Sequence, residues 1–140
     1  MKPLLGVQLN RSHPLAKGLV GCWVMNEGAG NKIYDLSGNG NDGSFPGGTA
    51  NPLWKPGRTG PALKFDGVND YVEKTSFTQI TSAITISAWI YPNTYGSHAN
   101  GLGRMVTGGL SGSAKYSFAL NKDFSGLGTN NLIFNDGDEW

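Results

Sequence analysis

Residues 35–43 read Asp-Leu-Ser-Gly-Asn-Gly-Asn-Asp-Gly, the densest run of small oxygen-bearing side chains and glycines in the chain. The first six residues fit the spacing D-x-[DNS]-x-[DN]-G, in which oxygens at alternate positions of a curled loop converge on one point. Gly40 permits the sharp turn that such a loop needs. This chemistry suits a hard cation, so the pattern predicts a calcium ion near the loop.

The same loop also has a purely structural interpretation, which is the favoured one. Asn-Gly, Ser-Gly and Asp-Gly pairs are common in turns, and Asn and Asp side chains bind their own backbone in Asx turns. An EF-hand is excluded, because Pro46 stands at the twelfth position, where a bidentate acid is needed, and no helical pattern flanks the loop. A second oxygen cluster, Asp66, Asn69 and Asp70, is likewise favoured as a turn.

Aromatic side chains with polar neighbours are the candidates for sugar binding, because an aromatic ring stacks on a pyranose while amides and carboxylates bind its hydroxyls. Trp54 is one candidate, and its alternative role as a lid over the core is favoured. Trp23 and Trp89 lie in predicted strands and are interpreted as core residues. The other candidates lie together in one loop: Asn93, Tyr95, His98 and Asn100.

The acidic residues do not form the pattern of a glycoside hydrolase. Retaining hydrolysis needs two carboxyl groups about 5 Å apart, often at alternate positions of one strand. Among the 10 acids of the chain, Asp136 and Asp138 are two positions apart, but they lie beside a glycine in a predicted turn. We therefore expect a protein that is not an enzyme, with no catalytic residues.

Composition limits the class of protein further. The chain has 140 residues, which suits one domain, and its 22 glycines, 11% aromatic and 15% charged residues are typical of strands and turns. The net charge of +1 comes from scattered basic residues, which argues against a nucleic-acid partner. No apolar run is long enough for a membrane span or a secretory signal. The single cysteine, Cys22, is expected to be a buried free thiol.

The elements that would position these residues are short strands separated by glycine-rich turns. A leader over 1–17 is followed by a predicted strand over 18–25, and 45–61 is interpreted as a long surface connection. Ile84, Ile86, Ala88 and Ile90 alternate with polar and aromatic residues, which makes 84–91 the clearest strand. A short extended piece is predicted at 32–36, and further strands are predicted at 62–65, from 71 onward, and at 104–107, 116–120 and 132–134. The arrangement indicates an antiparallel sandwich without helices.

Four stretches in order carry a family resemblance: Gly-Leu-Val-Gly-Cys-Trp-Val-Met-Asn-Glu-Gly at 18–28, Tyr-Asp-Leu-Ser-Gly-Asn-Gly-Asn-Asp-Gly at 34–43, Ala-Leu-Lys-Phe-Asp-Gly-Val-Asn-Asp-Tyr-Val at 62–72 and Ile-Thr-Ile-Ser-Ala-Trp-Ile-Tyr-Pro at 84–92. They resemble the laminin G-like, concanavalin A-like lectin/glucanase superfamily in its bacterial and phage form. The resemblance implies an all-β, two-sheet antiparallel jelly-roll sandwich over 18–140. It allows these calcium ligands: Asp35, Asn39, Asn41, Asp66 and Asp70.

The resemblance implies a non-catalytic recognition module that binds carbohydrate with the help of calcium. The alternative is a structural phage protein, a virion surface or decoration protein or an adhesin that assembles with copies of itself. A glycoside hydrolase is the third and least favoured reading. Family members usually continue past a motif like Asp-Glu-Trp at 138–140, so a fragment, a homo-oligomer or a virion assembly partner is expected. With no signal peptide visible, an extracellular or virion-surface location fits a phage protein that leaves by lysis.

Overall fold

The computed structural model describes residue 6 and residues 8–77, 83–91, 102–110, 113–121 and 131–135. The chain divides into two compact units, Met1–Phe77 and Thr78–Trp140, and each is described by itself. Within the described ranges the protein is all-β: short strands are joined by turns, and the helical structure consists of two 3-10 turns. The all-β prediction is therefore confirmed at this coarse level.

The first unit contains two small antiparallel sheets. Strand β1 (Lys32–Ile33) pairs with β2 (Gly43–Ser44), and the chain between them forms the oxygen-rich loop. Strand β3 (Leu53–Gly57) pairs with β4 (Gly60–Lys64) in a tight hairpin. The 3-10 turns cover Pro14–Ala16 and Gly48–Ala50.

The β3–β4 hairpin corrects the prediction of an irregular surface connection over 45–61. Its prolines suggested a connection, but Pro56 and Pro61 lie opposite each other in a two-stranded sheet. Both strands of such a sheet are edges, and proline is tolerated at an edge because no neighbouring strand needs its missing N–H. Gly60 has a φ of 115°, so it supplies the turn conformation that reverses the chain.

The hydrophobic core of the first unit is small. Ile33 and Phe45 are 4% and 9% exposed, and the ring of Phe45 lies 6.1 Å from that of Trp54, measured between centroids. Several large apolar side chains remain exposed around this core: Tyr34, Leu53, Phe65, Val68 and Tyr71. The described part of this unit therefore leaves much apolar surface open.

Two strand predictions in the first unit are wrong. Residues 18–25 form no strand, and Trp23 makes only an isolated bridge with Asp35. The segment begins and ends with positive φ angles, 77° at Gly18 and 56° at Met25, which extended strands do not have. The return strand from Tyr71 is also reduced to one bridge, between Ser44 and Glu73.

In the second unit, three strands form one antiparallel sheet in the order β5-β6-β7. They are β5 (Leu102–Leu110), β6 (Ser113–Asn121) and β7 (Asn131–Asn135). The strands predicted at 104–107, 116–120 and 132–134 are confirmed and are longer than predicted. The pairing of β5 with β6 shifts register twice, and one shift lies at the pair Gly108 and Gly109.

Residues 83–91 do not form the predicted strand, although their sequence has the clearest alternation in the chain. They make no strand pairing with any described residue. Trp89 is fully exposed and Tyr91 is 90% exposed, while Ile84 and Ile90 are 40% and 46% exposed. Both faces of the segment are thus open, and the core role predicted for Trp89 is wrong within the described structure.

Candidate functional site

Asp35 is the centre of the oxygen-rich loop. Its Oδ1 accepts the backbone N–H groups of Cys22 and Ser37, each at 2.9 Å. Its Oδ2 accepts the Ser37 hydroxyl at 2.7 Å and the Asn41 N–H at 3.0 Å. A carboxylate offers about four lone-pair positions. All the acceptor positions of Asp35 are therefore used within the protein.

The two asparagines of the loop bind the segment that precedes it. The Asn39 amide donates to the carbonyls of Leu19 and Val20, at 2.9 and 3.1 Å. The Asn41 amide donates to the same Val20 carbonyl at 2.9 Å. The two amides therefore bind backbone carbonyls at residues 19 and 20 that a neighbouring strand would otherwise bind.

Two further bonds close the loop. The indole N–H of Trp23 donates to the carbonyl of Asn41 at 2.6 Å. The backbone N–H of Asp35 donates to Oδ1 of Asp42 at 2.9 Å, which joins the first and last acids of the loop. The loop therefore holds residues separated by many positions in sequence.

Arg11 lies against the backbone of the same loop. A Cβ added at Gly38 would overlap the Arg11 guanidinium, and Gly38 has a φ of 84°. The backbone conformation favours glycine, whereas the guanidinium is the end of a flexible side chain that can move aside. Part of the predicted leader thus packs on the loop, beside the 3-10 turn that His13 caps through its Nδ1.

The electrostatics of this region follow from its hydrogen bonds. Partial burial raises the pKa of Asp35, but the hydrogen bonds from the Ser37 hydroxyl and three backbone N–H groups outweigh it, so the pKa is lowered overall. Burial and the nearby charge of Asp35 raise the pKa of the Cys22 thiol. Cys22 is half-buried and free, and its raised pKa disfavours the reactive thiolate.

Asp66 organises the second oxygen cluster, but only through local bonds. Its Oδ1 accepts the N–H groups of Val68, Asn69 and Asp70, at 2.8, 3.1 and 3.3 Å. In return, the N–H of Asp66 donates to Oδ2 of Asp70 at 2.7 Å. The backbone hydrogen bonds, led by that of Val68, lower the pKa of the exposed Asp66. The predicted turn is confirmed, with Gly67 at a φ of 76°.

The predicted calcium ligands all lie within the described ranges: Asp35, Asn39, Asn41, Asp66 and Asp70. Asp35 does not fit as a ligand in this arrangement, because an ion there would displace N–H and O–H donors. No hydrogen bond joins the 35–42 and 66–70 groups among the described residues, and the same part of the chain contains no group of three or more His, Cys, Asp or Glu residues close enough to hold a metal ion. The side-chain oxygens of Asn39 and Asn41 accept no hydrogen bond within the described ranges, so calcium at the loop stays a prediction that rests on them.

The predicted sugar-binding residues fall into two groups. Trp54 is half-buried on β3, its indole N–H donates to the Gly30 carbonyl at 2.9 Å, and its ring contacts Phe45. This position agrees with the lid interpretation and leaves part of the ring accessible. The remaining candidates lie outside the described residues: Asn93, Tyr95, His98 and Asn100.

Glu27 has a structural role that was not predicted; the sequence only placed this residue in a turn. Its Oε1 accepts the Tyr34 N–H at 2.8 Å. Its Oε2 is buried and has no hydrogen-bond partner among the described residues. This role could have been inferred from the position of Glu27, an acid directly before a glycine-rich turn and a short strand.

Comparison with known protein families, with curated proteins and with solved structures found no match for the chain. The resemblance to laminin G-like domains therefore rests on the four sequence motifs. None of the helices in the described part of the chain is long and apolar enough to cross a membrane.

Proposed function

We propose that the chain is a non-catalytic recognition module for carbohydrate, built on the two-sheet jelly-roll sandwich of laminin G-like domains. The all-β architecture and the four ordered motifs support this fold. On this proposal the glycan contacts come from Trp54 and from the loop that contains Asn93, Tyr95, His98 and Asn100. Calcium assistance is a separate part of the proposal and is tested separately.

The non-catalytic proposal is supported mainly by the hydrogen bonds that the described carboxylates accept from the backbone. The carboxylates of five described acids accept backbone N–H groups: Glu27, Asp35, Asp42, Asp66 and Asp70. A hydrolase needs one carboxyl group that donates a proton and a second that is free to attack or to activate water. These carboxylates are used to hold the backbone, and the hydrogen bonds lower the pKa of Asp35 and Asp66, which disfavours the proton that an acid catalyst must carry.

The anchoring of Trp54 supports the recognition role. Its N–H bond to Gly30 and its contact with Phe45 hold the ring in one orientation before any ligand binds. A fixed ring loses little conformational entropy when a sugar stacks on it. Half-buried aromatic rings with a bound polar end are suited to this task.

A structural role in an assembly is the second candidate, and one observation favours it. Leu53 and Val68 of the first unit are 57% and 77% exposed and Trp89 of the second is 101% exposed, and exposed apolar side chains mark interaction sites where they form a contiguous patch. Such surface is covered when copies of a chain or different proteins associate. We place such an assembly outside the cell or on a virion surface, where it is compatible with glycan binding.

A glycan array tests the recognition proposal directly. The wild-type chain is expected to bind a subset of glycans, and Trp54→Ala and Tyr95→Ala are expected to weaken this binding at least tenfold. Tyr34→Ala is the matched control, because Tyr34 is an exposed aromatic residue outside the candidate set. Circular dichroism melts of each variant separate loss of binding from loss of folding.

The same array in calcium and in EDTA tests the ion. Binding that disappears in EDTA supports calcium assistance, and binding that is unchanged leaves a calcium-independent module. If the folded wild-type chain binds no glycan under either condition, carbohydrate recognition is contradicted and the structural role remains.

A further inference from the structure

The β3–β4 hairpin carries an uneven share of the charge of the chain. Residues 53–64 contain three of the 11 basic residues and none of the 10 acids. The rest of the chain therefore has a net charge of −2, although the whole chain has +1. The three basic residues are Lys55, Arg58 and Lys64, which we call the basic cluster, and all three are exposed.

The register of the hairpin brings the two lysines together. Ala62 is the partner of Lys55, and Lys64 lies two residues further along the same strand as Ala62. Lys55 and Lys64 are therefore diagonal neighbours on one face of the sheet, about 7–8 Å apart across the strands. Arg58 lies in the turn between β3 and β4, so it adds its charge at the tip of the same element.

The basic cluster has no partner in the described part of the chain. None of its three side chains forms an ion pair or a hydrogen bond with a described residue. The nearest acid in the sequence, Asp66, uses its Oδ1 to accept three N–H groups of its own turn. The positive charge is therefore available to a ligand, and it is least complete at Lys64, which is two residues from Asp66.

The other basic residues of the first unit do not form a comparable surface. Arg11 packs on the backbone of the oxygen-rich loop. Lys32 and Glu73 flank the same residue of β2, and Lys74 follows Glu73 directly, so an acid accompanies both lysines. Lys17 caps the first 3-10 turn and has no other basic residue beside it in the sequence.

Protection of the sheet edge is the alternative role for these charges, because charged side chains discourage pairing with another strand. Charge of either sign serves that purpose, yet the hairpin has basic residues alone. Arg58 lies in a turn, which has no ladder to protect. An anionic ligand accounts for both the uniform sign and the position of Arg58.

Charge complementarity selects the chemistry of the ligand. Ammonium and guanidinium groups bind carboxylate and sulfate oxygens through charge-assisted hydrogen bonds. A nucleic acid is less favoured, because its binding depends on many phosphate contacts and the basic cluster offers three. An acidic polysaccharide repeats its charges along a flexible chain, so a few cations on one element can engage several of them.

We propose that the basic cluster binds the anionic groups of an acidic polysaccharide. The inference rests on the proposed recognition of carbohydrate and names its substrate class. The surface is separate from the ring of Trp54, since adjacent side chains of a strand point to opposite faces and Trp54 directly precedes Lys55. Binding of acidic and of neutral sugars can therefore be tested independently.

Binding to three polymers tests the basic cluster: alginate, which carries carboxylates, dextran sulfate, and neutral dextran as the uncharged reference. We expect the wild-type chain to bind an anionic polymer more tightly than dextran, and the preferred polymer distinguishes carboxylate from sulfate. The affinity should fall about 20-fold between roughly 50 and 200 mM salt, because three contacts with a flexible polyanion correspond to a salt slope of about −2.

Substitutions locate the site. Replacing all three residues of the basic cluster with Gln should weaken anion binding at least about tenfold and flatten the salt dependence. The matched control K17Q/K32Q/K74Q removes the same charge from other exposed or half-buried positions and should retain most of the binding. Lys55→Glu keeps a charge at the sheet edge, so edge protection alone predicts no effect, whereas we expect it to weaken binding more than Lys55→Gln. Circular dichroism melts confirm that each variant is folded.

The outcomes separate this inference from the proposed function. A wild-type chain that binds neutral glycans on the array but neither anionic polymer overturns the basic cluster and leaves the recognition role. Equal losses in the cluster variant and in the control variant overturn it as well, since net charge alone would then explain binding. Tighter binding of a single-stranded oligodeoxynucleotide than of either polysaccharide overturns the glycan assignment and indicates a nucleic-acid surface.

Discussion

Two turns in the first unit are built around an aspartate, and they use it differently. Asp35 accepts bonds from residues as far away in sequence as Cys22 and is partly buried. Asp66 is exposed and accepts bonds only from Val68, Asn69 and Asp70. The first aspartate joins separate segments, whereas the second shapes one turn.

The difference shows that similar Asp-Asn-Gly patterns can either connect distant segments or stabilise a single turn. Both turns consist of Asp, Asn and Gly, and both were candidates for calcium. One bond of Asp35, from the Cys22 N–H, joins the loop to the segment that precedes it, while those of Asp66 would form in a short peptide. The free energy of unfolding should therefore depend strongly on Asp35 and weakly on Asp66.

Replacement of Asp35 is expected to have the largest effect. Asp35→Asn keeps one acceptor oxygen but turns the other into an NH2 donor that faces two N–H or O–H donors, so two bonds are lost and the other two lose their charge. We expect the free energy of unfolding to fall by about 2 kcal/mol or more, because hydrogen bonds to a charged group contribute about 1.5–3 kcal/mol each. Urea denaturation followed by tryptophan fluorescence measures this. An unchanged midpoint would contradict the joining role of Asp35.

Acid should reveal the contribution of Asp35 to stability. The pKa values of both aspartates are lower in the folded chain than in the unfolded chain. The unfolded chain therefore binds more protons as the pH falls, and the stabilisation present above an unfolded pKa of about 3.9 is lost as the pH passes through the lower folded values. Thermal melts between neutral pH and pH 2 should show a shallower loss for Asp35→Asn than for the wild type. Parallel curves would show that Asp35 does not contribute.

Two glycines of the 35–43 loop differ in their contacts. Gly38 and Gly40 both have positive φ angles, 84° and 70°, but only Gly38 contacts Arg11. Gly40→Ala should cost about 1 kcal/mol from backbone strain, and Gly38→Ala should cost slightly more because it also moves the flexible Arg11 guanidinium aside. Melts of both variants, repeated in an Arg11→Ala background, measure the difference. Equal costs in the wild-type background would contradict packing of Arg11 on the loop.

Replacement of Asp66 is expected to have the smallest effect. Asp66→Asn keeps one acceptor oxygen for the turn, and Gly67 retains its positive φ. We expect a loss of stability well below that of Asp35→Asn, measured in the same urea titration. A loss as large as that of Asp35→Asn would mean that the two turns do not differ as described.

The sequence was most informative where the structure is local. Asx turns at 35–43 and 66–70 follow from residue type, since short polar side chains bind the adjacent backbone. The β5, β6 and β7 strands also follow from their composition. The partners of Asn39 and Asn41 at residues 19 and 20 were not predictable, because they depend on how distant segments meet.

The errors in the strand predictions have related causes. Apolar runs at 18–25 and 84–91 predict strands, but a strand forms only where another strand accepts its backbone bonds. The prolines at 56 and 61 indicated a loop, although their opposed register allows a hairpin. Residue composition indicates which secondary structure a segment prefers, but a strand forms only if another strand pairs with it.

Thermal unfolding of the wild type, Asp35→Asn and Asp66→Asn in calcium and in EDTA tests the central difference most directly. Our account predicts that Asp35→Asn melts several degrees below the other two proteins, by the same margin with and without calcium. A wild-type melting temperature that rises in calcium, with a rise that Asp35→Asn abolishes, would contradict it and make Asp35 a metal ligand.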